Sequence, residues 1–127
     1  MESRRNKKKY VFDSRQITPI DFVAIKESTH FPDSVISDML KISTKTYQTY
    51  KKPKAKIKEN VKDRMAIIGQ LFDHGTALFG STLSFIQWLN TPNFIFGGVP
   101  PFDYLDKING PQFIDDRLTG MEYGDNA

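Results

Sequence analysis

The chain has 127 residues, 18 Lys+Arg against 15 Asp+Glu, a hydrophobic share of 39% and no cysteine. That length allows one domain or two very small ones, the missing cysteine excludes disulfides and thiolate metal sites, and no stretch reaches the ~20 apolar residues of a membrane span. Charge is segregated: residues 1–60 hold 14 Lys+Arg and 7 Asp+Glu (+7), residues 61–127 hold 4 and 8 (−4), together +3, a division that fits a polyanion for the front half and a different partner for the back.

Residues 1–16 carry six Lys/Arg, with Tyr10, Val11 and Phe12 as their apolar cluster, and read as a basic flexible arm. "MESRRNKKKYVFDS" leads into no apolar run of the kind a secretory signal needs, so a cytoplasmic location is expected. A first helix is predicted over "TPIDFVAIKE" (18–27). Thr18 is placed to cap it, Pro19 suits its first position, and Phe22, Val23 and Ile25 supply apolar mass.

"FPDSVISDMLKISTKTYQTYKK" (31–52) predicts two short helices. Asp33 or Ser34 caps the first, whose apolar positions Val35, Ile36, Met39 and Leu40 share one face. After a break at Lys41-Ile42, Ser43 caps the second, with Ile42 and Tyr47 spaced as a hydrophobic staple. The pair has the form of a helix-turn-helix. Thr44, Lys45, Thr46, Gln48, Lys51 and Lys52 are the candidate DNA-binding residues, because hydroxyls, an amide and ammoniums suit base edges and phosphates. Ser37 and Lys41 stand where such motifs usually carry a small Ala-like residue and Gly. A Lys in a left-handed turn costs energy. "KKPKAKIK" (51–58) adds Pro53 as a helix stop and five lysines that fit either a phosphate backbone or a solvated linker.

Ile57, Val61, Met65, Ile68 and Phe72, widened by Leu71, form the longest helical stripe, over 56–79, with Gly75 as a possible kink or end and Gly80 as its stop. Ser81 caps a helix that runs through Trp88-Leu89 and stops before Pro92. "FIF" (94–96) is a weak strand candidate, Gly97-Gly98 permits a sharp turn, and Pro101 opens a short helix ended by Asn109-Gly110. The last helix is predicted from about Pro111 to Met121, with Phe113, Ile114, Leu118 and Met121 on one face. The expected fold is all-α: an N-terminal degenerate helix-turn-helix bundle (17–78), joined by a long helix to a small helical domain (79–127).

Catalytic chemistry is missing. His30 and His74 have no spaced ligand partners and read as surface or helix-end residues. Asp115 and Asp116 are adjacent, so on a helix they diverge by about 100°. There is no phosphate loop, dinucleotide fingerprint or nucleophile motif. The expectation is a binding protein with no catalytic residues, metal or cofactor.

The back half carries a long ordered pattern. It runs Phe79-Gly80, Trp88-Leu89, Thr91-Pro92-Asn93, Gly97-Gly98, Pro101-Phe102-Asp103-Tyr104-Leu105, Gly110, Ile114, Leu118, Met121 and Glu122-Tyr123-Gly124. In this it resembles the Xre/MbcA/ParS family of antitoxins, which partner RES-domain toxins. The resemblance implies a two-part antitoxin. Its back domain binds and inhibits a NAD-degrading RES toxin, and its front domain binds the operator of its own operon, commonly as a homodimer. Trp88, Phe102, Leu105 and Leu118 are then core. Met121, Glu122, Tyr123, Gly124 and Asp125, with Asn93 and Phe96, are the candidate toxin contacts. "FIFGG" is more aromatic than the family's usual small-residue stretch, which singles out Phe94 or Phe96. The rival reading is a free-standing helix-turn-helix regulator whose back half only dimerises.

Overall fold

The computed structural model describes residues 13–124. Most of the expected basic arm, residues 1–12, and Asp125 lie outside the described residues. The chain divides into two units, Met1–Gln70 and Leu71–Ala127, N-terminal to the expected junction at 78/79. Among the described residues there are six α-helices and no strand, so the fold is all-α.

In the front unit, Asp13 closes a 3₁₀ turn, Ser14–Gln16, by accepting from the Arg15 backbone N–H at 2.9 Å. Helix α1 is Pro19–Thr29. Its Asp21 carboxylate accepts from the Thr18 backbone N–H at 2.9 Å, which satisfies a donor that no helical carbonyl reaches. His30, exposed and left-handed at φ 60°, ends the helix, as a helix-end residue was expected to.

Helix α2 is Asp33–Leu40 and α3 is Thr44–Tyr50. Pro32, not Asp33 or Ser34, occupies the cap position of α2. Asp33 is thereby the first helical residue, and its carboxylate faces cations instead of the helix end. Lys41 takes the left-handed turn between the helices at φ 61°. Its conformation is the one glycine would hold at no steric cost. The Ser43 hydroxyl caps α3 by accepting from the Thr46 N–H at 3.0 Å.

Ser37 is buried where α2 and α3 meet, and its hydroxyl lies 2.9 Å from the Ser34 carbonyl and 3.1 Å from the Thr44 hydroxyl. The small side chain permits close approach while its oxygen stays satisfied. Tyr47, fully buried, donates its hydroxyl to the Phe22 carbonyl at 2.6 Å and ties α3 to α1. Burial, and secondarily the Asp33 charge, push the Tyr47 phenol up to about 12, so it remains a donor at any physiological pH. The Arg64 guanidinium, almost wholly buried, donates through Nε to the Met39 carbonyl at 2.8 Å.

Helix α4, Glu59–Phe79, begins in the front unit and ends in the back one. Its predicted stripe is buried throughout: Val61, Met65, Ile68, Leu71 and Phe72, preceded by Ile57 just outside the helix. Gly75 does not end it. A Cβ there would lie 2.4 Å from the Phe85 ring, so the bare backbone makes room for that ring.

In the back unit, Gly80 at φ 90° stops α4 and the Ser81 hydroxyl accepts from the Ser84 N–H at 3.0 Å to start α5, Thr82–Leu89. Two 3₁₀ turns follow, Phe94–Phe96 and Pro101–Tyr104, and then α6, Gly110–Glu122. The core is Phe85, Leu89, Phe96, Leu105, Ile114 and Leu118. Leu105 and Leu118 fill it as expected. Trp88 and Phe102 are only half-buried. Trp88 lies against Phe79, Phe85 and Phe96 at 5.5–6.1 Å between ring centroids and covers the core instead of filling it. Its indole Nε1 is buried without a hydrogen-bond partner among the described residues, an arrangement that costs stability. The strand candidate "FIF" is also corrected: a strand needs a partner, and only the single bridge Asn93–Val99 forms beside it, while Phe94–Phe96 closes a 3₁₀ turn.

Candidate partner-binding surfaces

The front unit's candidate DNA-binding residues fall on α3 and the turn after it. Asp33 on α2 gathers several of them. Its carboxylate accepts from Lys26 Nζ at 2.7 Å and from Gln48 Nε2 at 3.2 Å, with Lys51 Nζ at 3.7 Å. The Lys26 hydrogen bond first, then Gln48, then the charges of Lys51 and Lys26, hold this carboxyl below the ordinary aspartate range. Gln48 and Lys51 are thus engaged within the unit, Lys51 also lying 5.0 Å from the Tyr47 ring centroid. The Thr44 hydroxyl meets Ser37, and the Thr46 hydroxyl accepts from Ser43 at 2.9 Å. Lys45 and Lys52 are exposed. Of the six, these two make no such side-chain bond among the described residues.

In the back unit, α6 ends in a clamp that spacing did not disclose. The His74 ring of α4 lies with Nδ1 2.7 Å from Asp115 and Nε2 2.9 Å from Glu122. His74 is therefore not the isolated surface residue expected. Its partners stand 41 and 48 positions away, beyond any local pattern. Burial pulls the imidazole's affinity for a proton down, but the bonds to Asp115 and Glu122 and their charges outweigh it, and the net shift is upward from the ordinary 6.5. A raised folded-state value means the clamp's stabilisation is full below the unfolded value and is lost as pH rises through the folded one. The melting temperature of the back unit is expected to fall as pH rises from below 6.5 through the raised folded-state value more steeply in the parent than in His74→Gln. The difference is modest, because Asp115 and Glu122 are 26% and 45% exposed and solvent screens them. Parallel pH profiles by circular dichroism would rule the clamp out.

The candidate tail is partly helical. Met121 and Glu122 are the last residues of α6, Met121 half-buried and Glu122 held by His74. Gly120 lies inside the helix and does not end it. Tyr123 follows at 84% exposure, and Gly124 turns the chain at φ 97°.

The loop between α5 and the Pro101–Tyr104 turn brings Asn93 and Phe96 together in supporting roles. The Asn93 side chain accepts from the Ile95 N–H at 2.9 Å, and its backbone N–H and carbonyl bind Val99 and Gly98 at 3.1 and 2.9 Å. Phe96 is buried, with Tyr104 and Phe113 edge-on at 5.3 and 5.0 Å. It anchors the loop from within and presents no surface. Its neighbour Phe94 is 92% exposed, followed by Ile95 at 46% and Val99 at 38%.

Among the described residues no group of His, Asp or Glu is placed to hold a metal ion, and no helix is long and apolar enough to cross a membrane. No curated protein matches the chain significantly. Residues 74–124 match the family model described as the antitoxin Xre/MbcA/ParS C-terminal toxin-binding domain. That span takes in His74, the core of the back unit, the Asn93–Val99 loop and all of α6, and so the likeness to this toxin-binding domain covers the back unit of the chain.

Proposed function

We propose that the chain is the antitoxin of a type II toxin–antitoxin pair, that its toxin is a NAD-degrading RES-domain protein, and that it works in the cytoplasm as a non-enzymatic binder. The match over 74–124 supports the antitoxin part of this reading. Supporting it, α6 ends in acidic residues, the exposed Asp116 beside Asp115 and Glu122, which His74 holds, followed by the exposed Tyr123. An acidic end suits a basic cleft shaped for a dinucleotide's phosphates, and an exposed aromatic suits a pocket beside it. Met121, Glu122, Tyr123, Gly124 and Asp125 are the contacts we assign to blockade. Co-expression with the product of the adjoining gene tests this. The parent chain is expected to restore growth and cellular NAD, and the chain lacking residues 121–127 to fold but fail to restore either. Full rescue by the truncated chain would place inhibition in the body of the domain. Growth arrest with unchanged NAD would reject the RES assignment.

The front unit is proposed to bind the operator as a homodimer through a helix-turn-helix formed by α2 and α3. Its balance of charge and the left-handed turn at Lys41 support this. Lys45 and Lys52 are the phosphate contacts that need no internal bond to break, whereas base reading by Gln48 requires it to leave Asp33. Each phosphate neutralised contributes about −0.9 to the log–log salt slope, so replacing Lys45 and Lys52 by Ala is expected to flatten it by about 2. An unchanged slope in a promoter-binding titration would remove them from the interface. The opposing charges of the two halves favour this two-partner reading over a free-standing regulator whose back half only dimerises.

A further inference from the structure

We infer that Phe94, held out on the Asn93–Val99 loop with Ile95 and Val99 beside it, is the apolar anchor that inserts into a pocket of the toxin. This rests on the antitoxin reading and adds a second contact, separate in sequence from the acidic end of α6. The ring is 92% exposed, an unusual state for a phenylalanine in a domain that buries Phe85 and Phe96 completely. The loop under it is built to keep it there. Asn93 binds the backbone of Ile95, Gly98 and Val99. Gly97 and Gly98 turn the chain at φ 78° and 87°, a region in which side chains are strained. Phe96, the next aromatic but one, plugs the loop into the core against Tyr104 and Phe113. A loop backbone fixed in this way loses little conformational entropy on docking, which is what distinguishes an anchor's support from an incidental surface loop.

The occupant is the toxin because the loop lies inside the 74–124 span that matches the toxin-binding domain. A second copy of this chain is the alternative. The side chains the loop exposes, Phe94, Ile95 and Val99, are all apolar. The matching surface on the toxin is therefore an uncharged pocket of aromatic size, not the basic cleft proposed for α6.

The test uses the full chain and the tagged product of the adjoining gene. Phe94→Asp and Phe94→Ala are expected to melt as the parent does, because the ring contributes little to the core. Phe94→Ala should weaken binding by about 30-fold, the effect of a central interface anchor, Phe94→Asp should weaken it further, and Phe94→Leu should recover part of the loss. Parental affinity in Phe94→Asp overturns the inference and leaves the antitoxin reading standing. A parent oligomer dispersed by Phe94→Asp, with toxin affinity unchanged, overturns it in favour of a self-contact. No binding by the parent chain overturns both readings.

Discussion

Gly110→Ala is expected to unfold the back unit while leaving the front unit's helical signal in place. The reason is space, not backbone conformation. Gly110 opens α6, and a Cβ built on it would sit 1.6 Å from the Tyr104 carbonyl oxygen and 2.7 Å from its carbonyl carbon. Both are backbone atoms and cannot rotate aside. The turn is closed on itself, since Lys107 N–H donates to the Tyr104 carbonyl at 3.2 Å and Gly110 N–H to the Lys107 carbonyl at 3.1 Å. Admitting a methyl group means separating the Pro101–Tyr104 turn from α6 and uncovering Leu105, Pro111 and Ile114, all of them buried. We expect a loss on the order of 3 kcal/mol or more, at the upper end of what overpacking does. A unit of this size has only about 3–8 kcal/mol in total. Thermal melting of the variant, with toxin binding as a second readout, tests this. A melt matching the parent's would mean the turn opens at little cost.

Phe96→Ala is expected to destabilise the same unit by about 3–5 kcal/mol, the usual range for emptying a buried aromatic site. Three rings close on Phe96: Phe113 at 5.0 Å, Tyr104 at 5.3 Å and Trp88 at 6.0 Å, each near edge-on. Edge-to-face pairs add to simple burial. Removing the ring also frees the loop that carries Phe94. Toxin affinity should therefore fall even at temperatures where the variant is still folded. The neighbouring Phe94→Ala should stay within about 0.5 kcal/mol of the parent in stability. Equal melting of the two variants would show that Phe96 is not the hub its contacts describe.

Helical spacing carried most of the fold. Burying one face of a helix leaves a 3.6-residue signature, and Val61, Met65, Ile68 and Phe72 obey it. Ser43 and Ser81 were legible as caps because a cap is local chemistry. The departures have tertiary causes. Gly75 reads as a weak point in a helix when its neighbours along the chain are considered, but the Phe85 ring packed on it explains why no side chain is there. "FIF" is apolar and rich in strand-favouring residues, yet Asn93 and the two glycines curl it into a 3₁₀ turn that sends Phe96 inward and Phe94 outward. Composition alone does not tell those two phenylalanines apart. In the front unit, Gln48 and Lys51 looked free because Asp33, which holds them, lies on another helix. The exposure of Tyr123 was legible, since it follows the predicted end of the last helix.

The ends of helices are where backbone amides exchange with water first, because the last turn opens without disturbing the rest. In α6 that turn is fastened from outside. Glu122 is the helix's final residue, and its carboxylate is bound by His74, whose other nitrogen binds Asp115 two turns earlier. Fraying must break a side-chain bond to a different helix, so the amides from Asp115 to Glu122 should open as one block with the final turns of α4. In hydrogen exchange the terminus would then report on the stability of the whole unit and not on its own. The segment assigned to the toxin would thus stand on a platform that is already ordered before any partner arrives.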